Sequence, residues 1–245
     1  MPNTSLFLSI LFPAHNEEDR LPVALKLADD FLKKQSYTYE LLIIENASSD
    51  ATLKIAQDFA ADHSYVKVIH EDLPGKGRAV HKGMLSSNGA FRFVCDVDLS
   101  MPIEEIAHFL PPEQEGYDIA IASREAKGAK RIGEPLYRHL VGRVFNLLVQ
   151  VLTLPELNDT QCGFKCFTAQ AAEDLFPKMT ITGWTFDVEI LAIARQSGYR
   201  IIEVPIPWYY KSHSKIHVMR DSMKMASDLL VIRRNIRQGK YVQPN

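Results

Sequence analysis

Two aspartates one residue apart, Asp96 and Asp98, follow the apolar run Phe91–Val94 in the string Cys95-Asp96-Val97-Asp98-Leu99-Ser100. Carboxylates at the end of a buried strand are costly to desolvate unless positive charge neutralises them. A hard divalent cation, Mg²⁺ or Mn²⁺, does so, because it prefers carboxylate and phosphate oxygens. Such a cation bridges to a diphosphate and stabilises the charge that builds on it as it leaves. The same pair also suits a turn in which both aspartates cap the following helix. Its place at the fourth strand of an α/β sheet favours the metal.

A second group is Leu73-Pro74-Gly75-Lys76-Gly77-Arg78-Ala79. Glycines flanking a lysine at a helix start leave backbone N–H groups open to an anion, and Lys76 adds charge. The P-loop spacing is absent, and Gly-Lys-Gly also serves as a plain turn. Third, Pro13-Ala14-His15-Asn16-Glu17-Glu18 and Ile44-Glu45-Asn46-Ala47-Ser48-Ser49-Asp50 each end an apolar run. Both therefore stand at the carboxyl edge of a sheet, where ligands bind. Asn16 and Asp50 equally suit helix caps.

The elements that position these groups follow from periodicity. Strands are expected at 6–13, 39–44, 65–70, 91–96, 119–122 and 200–204. Helices are expected at 17–34, 50–62, 77–87, 103–110, 136–154, 185–196 and 220–237. Strand and helix alternate at βαβ spacing over the first ~120 residues, which predicts a mostly parallel sheet covered by helices. Residues 125–134, charged and carrying Gly128 and Gly133, read as a mobile loop.

The 245 residues are 46% hydrophobic and 24% charged, enough for a packed core. Three cysteines, Cys95, Cys162 and Cys166, are too few and too odd for a secreted disulfide framework. Charge is uneven: residues 1–120 carry 10 Lys/Arg against 19 Asp/Glu, and residues 121–245 carry 18 against 11. A basic second half suits a polyanionic partner or an anionic membrane surface, and no aromatic-and-basic motif points to nucleic acid. The longest uncharged apolar run, Val144–Pro155, has 12 residues, against roughly 20 for a bilayer span. No Lys or Arg precedes Arg20, so the basic start of a signal peptide is absent.

Taken in order, Pro-Ala-His-Asn-Glu-Glu, Glu-Asn-Ala-Ser-Ser-Asp, Gly-Lys-Gly and Asp-Val-Asp-Leu-Ser resemble family 2 glycosyltransferases of the GT-A fold. The string Asp159-Thr160-Gln161-Cys162-Gly163-Phe164-Lys165-Cys166-Phe167, with Trp184-Thr185-Phe186-Asp187-Val188-Glu189 and Ser214-Lys215, resembles the dolichyl- or polyprenyl-phosphate branch, and most closely its β-glucosyltransferases. The likeness spans roughly residues 6–235. It departs at the second strand, where that family usually has Val-Asp-Asp-Gly-Ser and this chain has Ile44-Glu45-Asn46-Ala47-Ser48.

The resemblance implies a GT-A catalytic domain over 1–215 and a metal-dependent transfer of a hexose, glucose from UDP-glucose, onto a lipid phosphate. GDP-mannose as donor, a hydroxyl acceptor, and a non-catalytic binding module are the alternatives. It implies donor contacts from Pro13, Ala14, Asn16, Glu17, Glu45, Asn46, Ser48, Lys76, Asp96, Val97 and Asp98, the metal resting on Asp96 and Asp98. Asp159 enters the active site as a base or, preferably, in orienting the sugar, with Gln161 assisting. An ionised acceptor phosphate needs positive charge rather than a base. Arg124, Arg138 and Arg143 are the candidates, with Arg131 and Lys215 beside them. Asp187 and Glu189 open a helix and suit capping as well as catalysis, and residues 210–215 suit a loop closing over the diphosphate.

The stretch 136–154 and the extension 216–245 each combine a basic with an apolar face. Such helices suit peripheral docking on the cytoplasmic face of a membrane, packing on the core, or a homodimer interface.

Overall fold

The computed structural model describes residues 6–211 and 218–241, the side chains of 218–222 excepted. A seven-stranded sheet forms its centre. Strands β1 (Leu8–Ala14), β2 (Tyr39–Asn46), β3 (Val66–Glu71) and β4 (Phe91–Cys95) come from the first half of the chain. From the second half come β5 (Ile119–Ser123), β7 (Phe164–Thr168) and β8 (Ile201–Pro205). The order across the sheet is β3-β2-β1-β4-β7-β5-β8. All pairs are parallel except those of β7, which runs antiparallel between β4 and β5. Beside it, β6 (Lys130–Ile132) and β9 (Pro207–Tyr209) form a two-stranded ribbon.

A sheet covered on both faces needs strands that are apolar throughout. Alternate residues then feed opposite cores. Ile10, Phe12, Leu41 and Ile43 enter the core under α1 (Leu21–Leu32) and α2 (Thr52–Asp62). Leu11, Leu42 and Ile44 enter the other core. That second layer holds α3 (Lys76–Ser86), α5 (Ala169–Leu175), α6 (Phe186–Gln196) and α7 (Val218–Arg237). Helix α4 (Leu136–Leu152) lies outside, with Val149 its one buried residue.

Residues 164–168 form the strand β7, which the expected elements do not include. The segment 125–134, expected as a loop, carries β6, whose backbone pairs with β9. Of the alternatives for the extension 216–245, its described part takes packing on the core: Met225, Leu229, Ile232 and Tyr241 are buried, and the Tyr241 hydroxyl donates to Glu189 on α6 at 2.8 Å.

Among the described residues three other than glycine adopt left-handed backbone: Asn16 (φ 53°), Ala47 (φ 51°) and Leu99 (φ 45°). They follow β1, β2 and β4, all at the carboxyl edge. Such conformations are uncommon for residues with a Cβ and gather where tertiary structure holds a functional loop.

Candidate active site

Where β1 and β4 diverge, the carboxyl ends of the strands open onto a cavity of about 860 Å³, a size that suits a ligand as large as a nucleotide. One end is built by the loops after β1 and β2, which are stitched together. The Asn16 amide donates to Ser48 Oγ at 3.0 Å, Asn16 Oδ1 accepts from the Ser49 amide at 2.8 Å, and the Glu17 amide donates to Thr52 Oγ1 at 2.7 Å. Pro13, Ala14, Asn16, Glu17 and Asn46 line this end. Glu45 and Ser48 stand behind the wall, Glu45 accepting from the Ser48 amide at 2.5 Å and paired with His70.

The middle holds Asp96, Val97, Asp98 and Lys76. The Lys76 ammonium lies 2.7 and 2.9 Å from the two Asp96 oxygens and 5.5 Å from the centre of the Trp184 ring. Burial works against its charge, but Asp96, with Asp187 and Asp98 beyond, outweighs this and raises the Lys76 pKa. Burial and the Asp96 charge push the Asp98 carboxyl up, since the Ser100 amide at 2.9 Å answers only part of its charge. Gly163 abuts the pair: a Cβ there would stand 1.8 Å from Asp96 Oδ2.

The far end is basic and aromatic. Arg124 lies over the Trp208 ring at 5.4 Å and Arg138 over the Tyr210 ring at 5.2 Å. Asp159 grips Arg124 through Nε at 2.7 Å and Nη2 at 2.9 Å, and also accepts from its backbone amide at 3.0 Å. Burial would raise the Asp159 pKa, but the guanidinium overrides it and holds the carboxyl below the usual range. Asp159 is fully buried and stands behind the cavity wall, whereas Gln161 and Arg124 line the cavity.

The proposed phosphate arginines divide. Arg124 and Arg138 face the cavity. Arg131 is occupied by Glu125 and Glu134, each at 2.6 Å, and Arg143 by Glu125 at 2.9 Å. Both lie away from the cavity wall. Lys215, with most of the expected loop 210–215, falls outside the described residues. Asp187 lines the cavity but pairs with buried Lys165 at 2.7 Å. Glu189 caps nothing: it accepts from the Thr180 amide at 2.8 Å, the Ile181 amide at 2.6 Å and the Thr180 hydroxyl at 2.5 Å.

Sequence reasoning missed Trp208, Arg20 and Asp228, which also line the cavity. An aromatic a few residues past the last expected strand, 200–204, was the available signal for Trp208. None announced that α7 turns Lys224, Met225 and Asp228 inward.

A doubly wound α/β sheet thus opens at its switch point onto a cavity lined by an acidic pair and by Lys76, Arg124 and Arg138. The Glycosyl transferase family 2 profile matches residues 9–176, and the chain belongs to that family. It is similar to the dolichyl-phosphate beta-glucosyltransferases of Drosophila melanogaster, at 34% identity over 93% of this chain and 74% of that one, and of Homo sapiens, at 32% over 96% and 77%. It is thus a glycosyltransferase.

Among solved structures it is similar to mannosyl-3-phosphoglycerate synthase from Rubrobacter xylanophilus, with a TM-score of 0.69 at 17% identity over 98% of this chain and 76% of that one. Glucosyl-3-phosphoglycerate synthase from Mycobacterium tuberculosis, crystallised with Mn²⁺, uridine diphosphate and glucosyl-3-phosphoglycerate, gives a TM-score of 0.62 at 17% identity over 98% and 81%. The shared fold is GT-A, as the resemblance implied.

Proposed function

We propose that this enzyme moves glucose from UDP-glucose onto the phosphate of a dolichyl or polyprenyl lipid, with inversion, at a membrane surface. One observation carries the reading. A single cavity joins the Asp96/Asp98/Lys76 cluster to two arginines, each laid on an aromatic ring. The names of the relatives support the acceptor and the sugar, and the Mn²⁺ and uridine diphosphate of the M. tuberculosis neighbour support the donor.

The residues fit a divalent cation. Asp96 and Asp98 face one cavity, and of the two it is Asp96 that Lys76 pairs with directly. Among the described residues no cluster of three His, Cys, Asp or Glu converges. One or two carboxylates plus substrate phosphates is the way Mg²⁺ and its analogues are commonly held. Asp96 and Asp98 would hold the ion, which supplies charge stabilisation to the departing diphosphate. Lys76 adds a fixed positive charge to the same group.

A phosphate monoester has its second pKa near ~6, so the acceptor is ionised at neutral pH and needs no base. Arg124, held by Asp159, and Arg138 grip it and aim its oxygen behind the sugar carbon. Attack from the face opposite the leaving group turns an α-linked donor into a β-linked product. Gln161 contacts the sugar.

Helix α4 supports docking from the membrane surface. Leu136, Leu140, Leu147 and Val151 are 87%, 65%, 59% and 69% exposed, and the helix begins beside Arg138 at the cavity. Among the described residues no helix is long and apolar enough to cross a membrane. The three cysteines are buried and unpaired, which supports the reducing, cytoplasmic side. A hydroxyl acceptor is the second reading: Asp187 lines the cavity and burial raises its pKa, as a general base requires.

The test is transfer from UDP-glucose or GDP-mannose to a short polyprenyl phosphate, with Mn²⁺ or with EDTA. Metal-dependent glucosyl-phosphate lipid is the expected product. Transfer to a soluble alcohol but not to the lipid phosphate would sink the acceptor assignment, and mannose transfer would sink the donor.

A further inference from the structure

Asn46 closes β2 and is 3% exposed. Its Oδ1 accepts from the Gly75 amide at 2.8 Å, and its Nδ2 donates to the Leu73 carbonyl at 2.7 Å. Its own carbonyl meets the His15 ring at 2.6 Å. One residue thus ties the end of β2 both to the loop after β1 and to the turn that starts α3.

That turn has little freedom of its own. Gly75 has φ 149°, and a Cβ there would lie 2.5 Å from the Thr182 carbonyl oxygen. The next residue is Lys76, whose ammonium reaches Asp96. A shift of the turn therefore moves Lys76 directly. Only a side chain that both accepts and donates serves here. A carboxylate keeps the bond from Gly75 but faces the Leu73 carbonyl with a second acceptor.

We infer that Asn46 is a positioning residue: its amide clamps the 73–75 turn and so sets Lys76 against the leaving group, rather than reading the nucleotide base. The inference rests on the proposed donor chemistry for its catalytic consequence but not for the clamp itself.

Two measurements test it on the full chain. Hydrogen exchange needs no substrate. The Gly75 amide should be protected in the native protein and exchange at least tenfold faster in Asn46→Ala, measured where both proteins stay folded and with amides of the sheet core as the reference for global stability. Random-coil exchange at Gly75 in the unaltered protein would overturn the clamp, whatever the reaction proves to be. Kinetics then read the consequence.

Asn46→Asp should lower kcat at least tenfold at pH 8, with the donor KM changed less than threefold. Its kcat relative to the unaltered enzyme should recover as pH falls and the acid regains an O–H donor. Asn46→Ala should show no such recovery. A loss confined to donor KM, or unaltered kcat in Asn46→Asp at pH 8, would overturn the positioning role in favour of direct nucleotide contact.

Discussion

Asp159 and Gly163 show how one residue fixes the place of another residue's side chain at the cavity. Asp159 was legible as important from its motif, but its burial behind Arg124 was not, because the sequence does not say which cation a carboxylate will meet. Replacing it by asparagine leaves the guanidinium with half its partner. Breaking such a buried pair costs about 3–5 kcal/mol, so Asp159→Asn should unfold at lower urea and lose turnover, the loss following Arg124 rather than any missing base. The outcome that would reject this is a stable Asp159→Asn enzyme whose activity returns with an added small base. At Gly163 the argument is steric. The 1.8 Å approach to Asp96 Oδ2 leaves no room for a methyl group. Gly163→Ala should displace the carboxylate by about an ångström and lower kcat about 10²-fold. Near-normal kcat in this variant would mean that Asp96 does not act from its present position.

At the scale of elements, α4 departs from the usual fate of an amphipathic helix. Most apolar stripes are core; this one buries only Val149, while that of α7 packs inward as such stripes usually do. Both patterns look alike in sequence, and only the presence or absence of an opposing surface separates them. Burying a leucine is worth about 1.5–3 kcal/mol. The double substitution Leu140→Asp, Leu147→Asp should therefore lower partitioning onto anionic vesicles at least tenfold and leave the melting temperature alone. Unchanged vesicle binding, with dimers dissociating to monomers instead, would assign this face to a second copy of the chain. The ribbon of β6 and β9 was equally invisible, because three-residue strands carry no periodicity.

For the whole molecule, two buried carboxylates, one in each half of the chain, tie distant segments together. In the first half Glu40 of β2 accepts from Ser9 Oγ on β1, from Lys67 Nζ on β3 and from the Asn88 amide before β4, each at 2.7 Å. Burial raises its pKa, but Lys67, Ser9 and Asn88 outweigh this and hold it below its ordinary value of 4.5. A depressed folded pKa gives stability that is full above 4.5 and is lost as pH falls through the folded value. Glu40→Gln should thus cost about 1–3 kcal/mol at pH 7, and the gap should close in denaturation curves taken below pH 4.5. A gap that persists in acid would assign the effect to packing. In the second half Glu189 draws Tyr241 and the 180–181 turn onto α6, so the chain's last described residue belongs to the core.

The sequence by itself determined the parallel half-sheet, the glycine-lysine turn, the acidic pair and the family, because each rests on local periodicity or on contiguous motifs. Tertiary structure alone decided the rest. It inserted β7 antiparallel between β4 and β5, put Arg124 and Arg138 on the cavity wall while Arg131 and Arg143 turned to Glu125, and turned α7 into that wall. Those outcomes depend on which distant groups meet: Arg124 is held at the cavity by Asp159, some 35 residues on, and an apolar stripe stays exposed only where nothing packs against it.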